Sequence, residues 1–189
     1  MFRSGSAGTI GRVHSVDSLV AQGGLYVVAA LAVVVWLTVS RPEKVALAVE
    51  MVVGLVVVAI LVKVAGVVHD DPRPFVVDPS VHPWFSHPAD NGFPSDHTAV
   101  GSVAAFVVLR HRRAAGLGLL VLAVLVGVAR VLAHVHHTED IVAGLVIGLV
   151  AAAGGVLVWG RVRGTPWARR AEGTPAARES ASPGAIGRP

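Results

Sequence analysis

Apolar residues in this chain do not alternate with polar ones. They run together in blocks separated by short polar or proline-rich clusters. Blocks over residues 24–40, 44–68, 95–110, 114–133 and 140–159 have the continuity of helices that cross a bilayer, which takes about 20 apolar residues. Arg41 and Pro42 close the first block, and Arg110, Arg112 and Arg113 close the third. The 95–110 block is short, roughly 24 Å at 1.5 Å per residue. Its N-terminus is therefore expected below the membrane surface, inside protein. Residues 1–23 mix Arg3, Arg12, His14 and Asp17 with apolar positions and show no apolar run before a small-residue cleavage site. They read as an interfacial or re-entrant segment rather than a removable signal peptide. Residues 161–189 are rich in Arg, Gly, Pro, Ala and Ser, and read as a disordered cytoplasmic tail. The pattern predicts an all-α polytopic membrane helix bundle of about five to six transmembrane helices, with its membrane domain at 24–160.

Composition narrows this further. The chain is 53% hydrophobic and 15% charged, with a mean hydropathy of +0.67, whereas a soluble domain carries about a quarter charged residues. It has no cysteine, which excludes disulfides, thiolate metal sites and cysteine nucleophiles. Basic residues exceed acidic ones by 16 to 12, but the arginines concentrate in the tail, so no nucleic-acid-binding face is expected. Five crossings would put residues 41–44, 110–113 and the tail on one side. The arginines there make that side cytoplasmic. The opposite, extracytoplasmic side would receive Asp70, Asp71, Asp78, Asp90, Asp96, Glu139 and Asp140. It would also hold His69, His82, His87, His97, His134, His136 and His137. The chemistry is expected on that side.

Three clusters fall there. In Asp71-Pro72-Arg73-Pro74-Phe75, two prolines stiffen the backbone around Arg73 and fix where its guanidinium points. In Asn91-Gly92-Phe93-Pro94-Ser95-Asp96-His97-Thr98, proline, serine and aspartate form a good helix start. Free amides at such a start bind phosphate, and His97 beside them can donate a proton to a leaving oxygen. In the third cluster, residues 129–140, Arg130 ends an apolar helix, where a charge is costly unless paired or facing a ligand. His136 and Asp140 lie four apart, a spacing that stacks side chains on one face if the turn is helical. A carboxylate holding one imidazole nitrogen leaves the other free as nucleophile or base. Glu139 reads as a complement to the dipole of the following helix. Two arginines, two histidines, a carboxylate and a helix start suit a phosphate held for phosphoryl transfer, with histidine as the natural nucleophile.

The order R-P, P-S-x-H and R-x5-H-x3-D resembles the type 2 phosphatidic-acid-phosphatase superfamily of membrane lipid phosphatases, over residues 63–140. Within it, "DPRPFVV" followed by "HPADNGFPSDHT" is similar to the bacitracin-resistance type of undecaprenyl-diphosphate phosphatase. The resemblance implies that His136 attacks phosphorus, Asp140 orients it, His97 protonates the leaving oxygen, and Arg73, Arg130 and Ser95 hold the phosphate. It implies no metal and no cofactor, a lipid phosphate as partner, and an active site on the extracytoplasmic face of the cell membrane. Two positions depart from the superfamily pattern. Its usual lysine, with six residues before Arg-Pro, falls on Gly66; Lys63, one turn earlier, is the candidate phosphate ligand, or else a snorkelling side chain. The serine usually preceding the third-motif arginine is Ala129.

The expected activity is hydrolysis of undecaprenyl diphosphate to undecaprenyl phosphate. The alternative within the class is a phosphatase for phosphatidic acid, phosphatidylglycerophosphate or another prenyl phosphate. A rival from another class is a histidine-rich metal-binding or transport protein, built on His134, His136 and His137. That rival leaves Arg73 and Arg130 without a purpose.

Overall fold

The computed structural model describes residues 6–173, with side chains from residue 19 onward. Within these bounds the chain is helical: α1 Ser6–Thr38, α2 Arg41–Val68, α3 Pro74–Val77, α4 Asp96–His111, α5 Arg113–Leu132, α6 Thr138–Val162 and α7 Pro166–Glu172. Four stretches are long and apolar enough to cross a membrane: Leu19–Thr38, Arg41–Val68, Arg113–Leu132 and Thr138–Val162. The polypolar segment at 10–22 is continuous with α1 rather than set apart from it. The region after residue 160 also holds more structure than its composition predicts. There α6 runs to Val162, and α7 packs back on α2 with Ala168 buried and the Ala171 carbonyl accepting from Arg41 Nε at 2.9 Å. The rest of the expected tail, from residue 174, lies outside the described residues.

At 16 residues, α4 is the shortest of the main helices, yet it occupies the centre of the bundle. Thr98, Ala99, Gly101, Ser102, Val103, Ala104, Ala105, Val107 and Val108 are all buried against α1, α2, α5 and α6. Its small residues allow this, because lipid supplies no hydrophobic drive between helices and packing must come from close backbone approach. A Cβ at Gly148 of α6 would collide with the Ser102 side chain and the Ala99 carbonyl, and one at Gly155 with the backbone of Glu50. The outer faces carry the large side chains. Val52, Val56 and Ile60 on α2, and Leu117, Val121 and Leu125 on α5, are each more than half exposed on the bundle alone. Their i, i+4 spacing makes lipid-facing stripes.

The helices alternate direction, so the bundle has two chemically distinct ends. At one end Arg112 pairs with Glu43 at 2.7 Å, and the wholly buried Glu50 accepts from Arg110 Nη1 at 2.6 Å and meets His111 Nε2 at 2.9 Å. Glu50 thus joins α2 to the end of α4 inside the bundle, far from the second end, where residues 69–95 and 133–140 gather. A structural role follows. Glu50→Gln is expected to leave the turnover of folded protein largely intact while costing about 2 kcal/mol of stability, the scale of a lost charge-assisted bond. Thermal unfolding and specific activity in detergent check this; collapse of turnover at normal stability would contradict it.

Candidate active site

The second end holds a cavity of about 420 Å³ lined by Lys63, Arg73, His87, Asp90, His97, Arg130 and His136, among others. The three clusters, 67 residues apart in sequence from Arg73 to Asp140, therefore converge on one space, as the spans predict. Arg73 sits in extended backbone, φ −57° and ψ 152°, held by its flanking prolines and by a bridge between Pro72 and Asn91. Its buried guanidinium is fully engaged. Nε donates to Asp90 Oδ1 at 2.8 Å, and Nη1 donates to the Val135 carbonyl at 2.6 Å and approaches His136 Nε2 at 3.4 Å.

The turn that carries His136 is built by the end of α5. His134 adopts φ +59°, a left-handed conformation uncommon without glycine, and packs edge-on against Trp84. The reversal turns Val135 and His136 back into the bundle, where both are buried. His136 and Asp140 meet by a route other than stacking on one helical face. His137 is extended, φ −84° and ψ 165°, and Asp140 occupies the third position of α6. From there one oxygen, Oδ2, accepts the His137 backbone N–H at 2.8 Å and contacts His136 Nδ1 at 3.1 Å. Helix capping and imidazole orientation are thus the work of a single atom.

Those contacts settle the tautomer. An ionised carboxylate only accepts and a guanidinium only donates. Nδ1 of His136 therefore carries the hydrogen toward Asp140, and the Nε2 lone pair faces the Arg73 side of the cavity. Burial pushes the His136 imidazole below the ordinary histidine range, against the pull of Asp140, which favours a neutral, nucleophilic ring.

Arg130 is 3% exposed. Nη1 donates to the Ala21 carbonyl at 3.1 Å and Nη2 to His87 Nε2 at 3.0 Å, while Nε has no partner among the described residues. A buried guanidinium held by a carbonyl and an imidazole has no counter-charge in bonding contact among the described residues, so its charge is available to an anion entering the cavity. Burial also lowers the pKa of His87, so this ring stays neutral beside the cation. His97, in the first turn of α4, lines the cavity within electrostatic reach of Arg130, His136, His87 and Arg73.

Two expected ligands are placed differently from the rest. Ser95 is completely buried; its hydroxyl accepts from Thr98 Oγ1 at 3.2 Å and its N–H donates to the Asp140 carbonyl at 3.1 Å. It joins α4 to α6 and does not line the cavity. Lys63 is exposed and reaches the cavity wall from α2. Gly66, where the superfamily pattern has lysine, lies under the loop: a Cβ there would stand 3.1 Å from the Phe93 carbonyl, and its own carbonyl accepts from Asn91 Nδ2 at 2.9 Å.

His87, Asp90 and Asn91 are participants that the motif reading passes over. Asn91 ties the loop together, accepting from the Asp71 and Phe93 N–H groups and donating to Gly66 and His69 carbonyls. An Asn-Gly pair is a turn signal that points to such a role; no spacing signals that His87 meets Arg130. The neighbouring histidines have separate partners: His134 meets Trp84, His136 meets Asp140, and His137 meets the Pro72 carbonyl. They do not converge as a metal site would require.

The sequence pattern of the PAP2 superfamily matches residues 47–163. The bacitracin transport permease protein BcrC of Bacillus licheniformis is 34% identical over 140 residues, covering 74% of this chain and 68% of that protein. Undecaprenyl-diphosphatase BcrC of Bacillus subtilis strain 168 is 29% identical over 141 residues, covering 73% and 70%. The crystal structure of Aquifex aeolicus LpxE superposes with a TM-score of 0.64 at 23% identity, over 77% of this chain and 86% of that one, a likeness of fold.

Proposed function

The chain belongs to the PAP2 superfamily, and on that premise we propose that it hydrolyses undecaprenyl diphosphate to undecaprenyl phosphate and inorganic phosphate through a phosphohistidine. The observation that carries the reading is Arg130, a buried cation without a carboxylate in bonding contact, opening on the same cavity as the oriented Nε2 of His136. The terminal phosphate lies between Arg73 and Arg130, which neutralise charge on its non-bridging oxygens. Nε2 of His136 attacks phosphorus and the bond to the bridging oxygen breaks. His97 gives that oxygen its proton and undecaprenyl phosphate leaves. The imidazolium formed on His136 keeps its Nδ1 hydrogen against Asp140. A water molecule, losing its proton to His97, then attacks phosphorus, and phosphate departs as the N–P bond breaks. The name of the Bacillus subtilis relative supplies the diphosphate; the geometry supports handling of any lipid-linked phosphate.

Purified protein with EDTA present is expected to release phosphate from undecaprenyl diphosphate faster than from phosphatidic acid or phosphatidylglycerophosphate. A preference for either glycerophospholipid would reassign the substrate, and dependence on metal would remove the mechanism.

We further propose that the cavity faces the extracytoplasmic side. The opposite end of the bundle carries Arg41, Arg110, Arg112, Arg113, Arg169 and Arg170, and positive loops remain in the cytoplasm. A single cysteine introduced within residues 76–90 is expected to react with an impermeant thiol reagent on intact cells, and one placed after residue 174 is not. Labelling of the second but not the first would invert the orientation.

A further inference from the structure

One part of the second end has no role in the mechanism above. Asp71 lies between α2 and Arg73, its side chain only 18% exposed, and its Oδ2 is buried without a hydrogen-bond partner. On α6, Oδ1 of the wholly buried Asp140 is in the same condition, while Oδ2 carries both His136 and His137. The two side chains act on each other directly, Asp140 reaching Asp71 both as a negative charge and as a hydrogen-bonding group. Gly92 closes over them: its N–H donates to the Asp71 carbonyl at 2.9 Å, and a Cβ there would stand 3.2 Å from Asp140 Oδ2. Two ionised carboxylates would leave two buried acceptors against each other with no donor, a costly arrangement. One hydrogen between them satisfies both.

From this geometry we infer that Asp71 and Asp140 share a proton, with Asp71 donating through Oδ2 to Oδ1 of Asp140, so that Asp71 is a positioning residue for the His136–Asp140 pair. The inference rests on the reading that Asp140 orients His136. Asp140 then has both oxygens fixed, one by His136 and His137 and the other by Asp71, and its carboxylate plane cannot rotate away from the imidazole. Burial, followed by the negative charge of Asp140, raises the Asp71 pKa from the ordinary aspartate value. The other groups acting on Asp71 are His137, whose Nε2 is 3.9 Å from Oδ1 and lowers it, and Glu139 on α6, which raises it. Because its pKa is raised, Asp71 keeps its proton at pH values where an exposed aspartate has lost it. It surrenders the proton as pH climbs through that raised value.

The test compares Asp71→Ala, Asp71→Asn and Asp140→Asn on undecaprenyl diphosphate. An asparagine amide can donate to Asp140 Oδ1 at every pH; alanine cannot donate at all. Asp71→Ala is expected to lower kcat by about 10-fold at unchanged KM, the scale seen when an outer hydrogen-bond partner is removed. Asp71→Asn is expected to restore kcat to near the parent value. The ratio of Asp71→Asn to parent turnover should also rise with pH, since titration of His97, His87 and the substrate is common to both and cancels. Equal loss in the alanine and asparagine variants, or a ratio flat in pH, would overturn the shared proton. Should Asp71→Ala fail to fold, the pH dependence of the asparagine ratio decides alone. Impaired Asp140→Asn with Asp71→Ala like the parent overturns this inference by itself, whereas unimpaired Asp140→Asn overturns the orienting role and the inference with it.

Discussion

His136→Ala is expected to abolish turnover on every phosphate substrate, and His97→Ala to lose it selectively. The two side chains line one cavity, but their surroundings assign them different work. His136 has its hydrogen committed to Asp140 and its lone pair directed toward the Arg73 side, so in the proposed mechanism it forms the bond to phosphorus. Without the ring no phosphohistidine forms, whatever the leaving group. His97 acts on the leaving oxygen, a contribution of typically 10²–10⁴-fold that shrinks when the leaving group needs no proton. His97→Ala should therefore recover part of its loss on an activated aryl phosphate, in the step that forms the phosphohistidine, while hydrolysis of that intermediate still lacks its base and His136→Ala stays inactive. Asp140→Asn should resemble a weakened His136 variant, because the ring remains but its orienting charge is gone. Acid-labile, base-stable phosphate on the protein, trapped by rapid quench, should be present in His97→Ala and absent in His136→Ala. Rescue of His136→Ala by the activated substrate, with His97→Ala inactive on it, would exchange the two roles.

Arg130→Ala should be the most damaging change among the cationic residues, lowering kcat/KM by about 10²–10³-fold, the scale of a lost transition-state donor in a dry site. Its guanidinium has no carboxylate in bonding contact, so its charge remains available to phosphate. Arg73 is partly neutralised by Asp90; burial works to raise the Asp90 pKa, but the hydrogen bond and charge of Arg73, with smaller contributions from a backbone hydrogen bond and His87, together lower it. Lys63 is exposed and enters one helical turn before Gly66, about 4.5 Å along the axis. Lys63→Ala should keep measurable turnover. Steady-state kinetics on folded protein check the order Arg130, then Arg73, then Lys63. Equal collapse of Arg130→Ala and Lys63→Ala would mean that Lys63 closes onto the phosphate during turnover.

Spans were readable because a bilayer imposes one condition on every helix that crosses it, a long apolar run, and that condition is written locally. Arg73, His97, Arg130, His136 and Asp140 were readable for a related reason. Charges and histidines at the ends of apolar helices are costly unless they do something, and alternating helices bring those ends together. α4 was expected to be short, and its run of alanine, glycine and serine places it at the centre of the bundle. The contact between His136 and Asp140 was anticipated from their separation, but by way of a helical turn. The left-handed His134 and extended His137 produce it instead, and backbone angles at two turn residues follow from packing against Trp84 and α6 rather than from residue type.

What the sequence by itself determined, then, is the course of the apolar helices, the end of the bundle that gathers the polar side chains, and the residue types found there. All of these depend on local hydrophobicity or on side-chain chemistry. Only the tertiary structure decided that His87 accepts from Arg130, that Asp90 pairs with Arg73, that Ser95 is buried without lining the cavity, and that Asp71 and Asp140 act on each other. Each of these joins segments whose distance is set by how closely helices pack. In this bundle that closeness depends on glycine contacts such as Gly148 with Ser102 and on the crossing loop under Asn91, which no single stretch of chain contains.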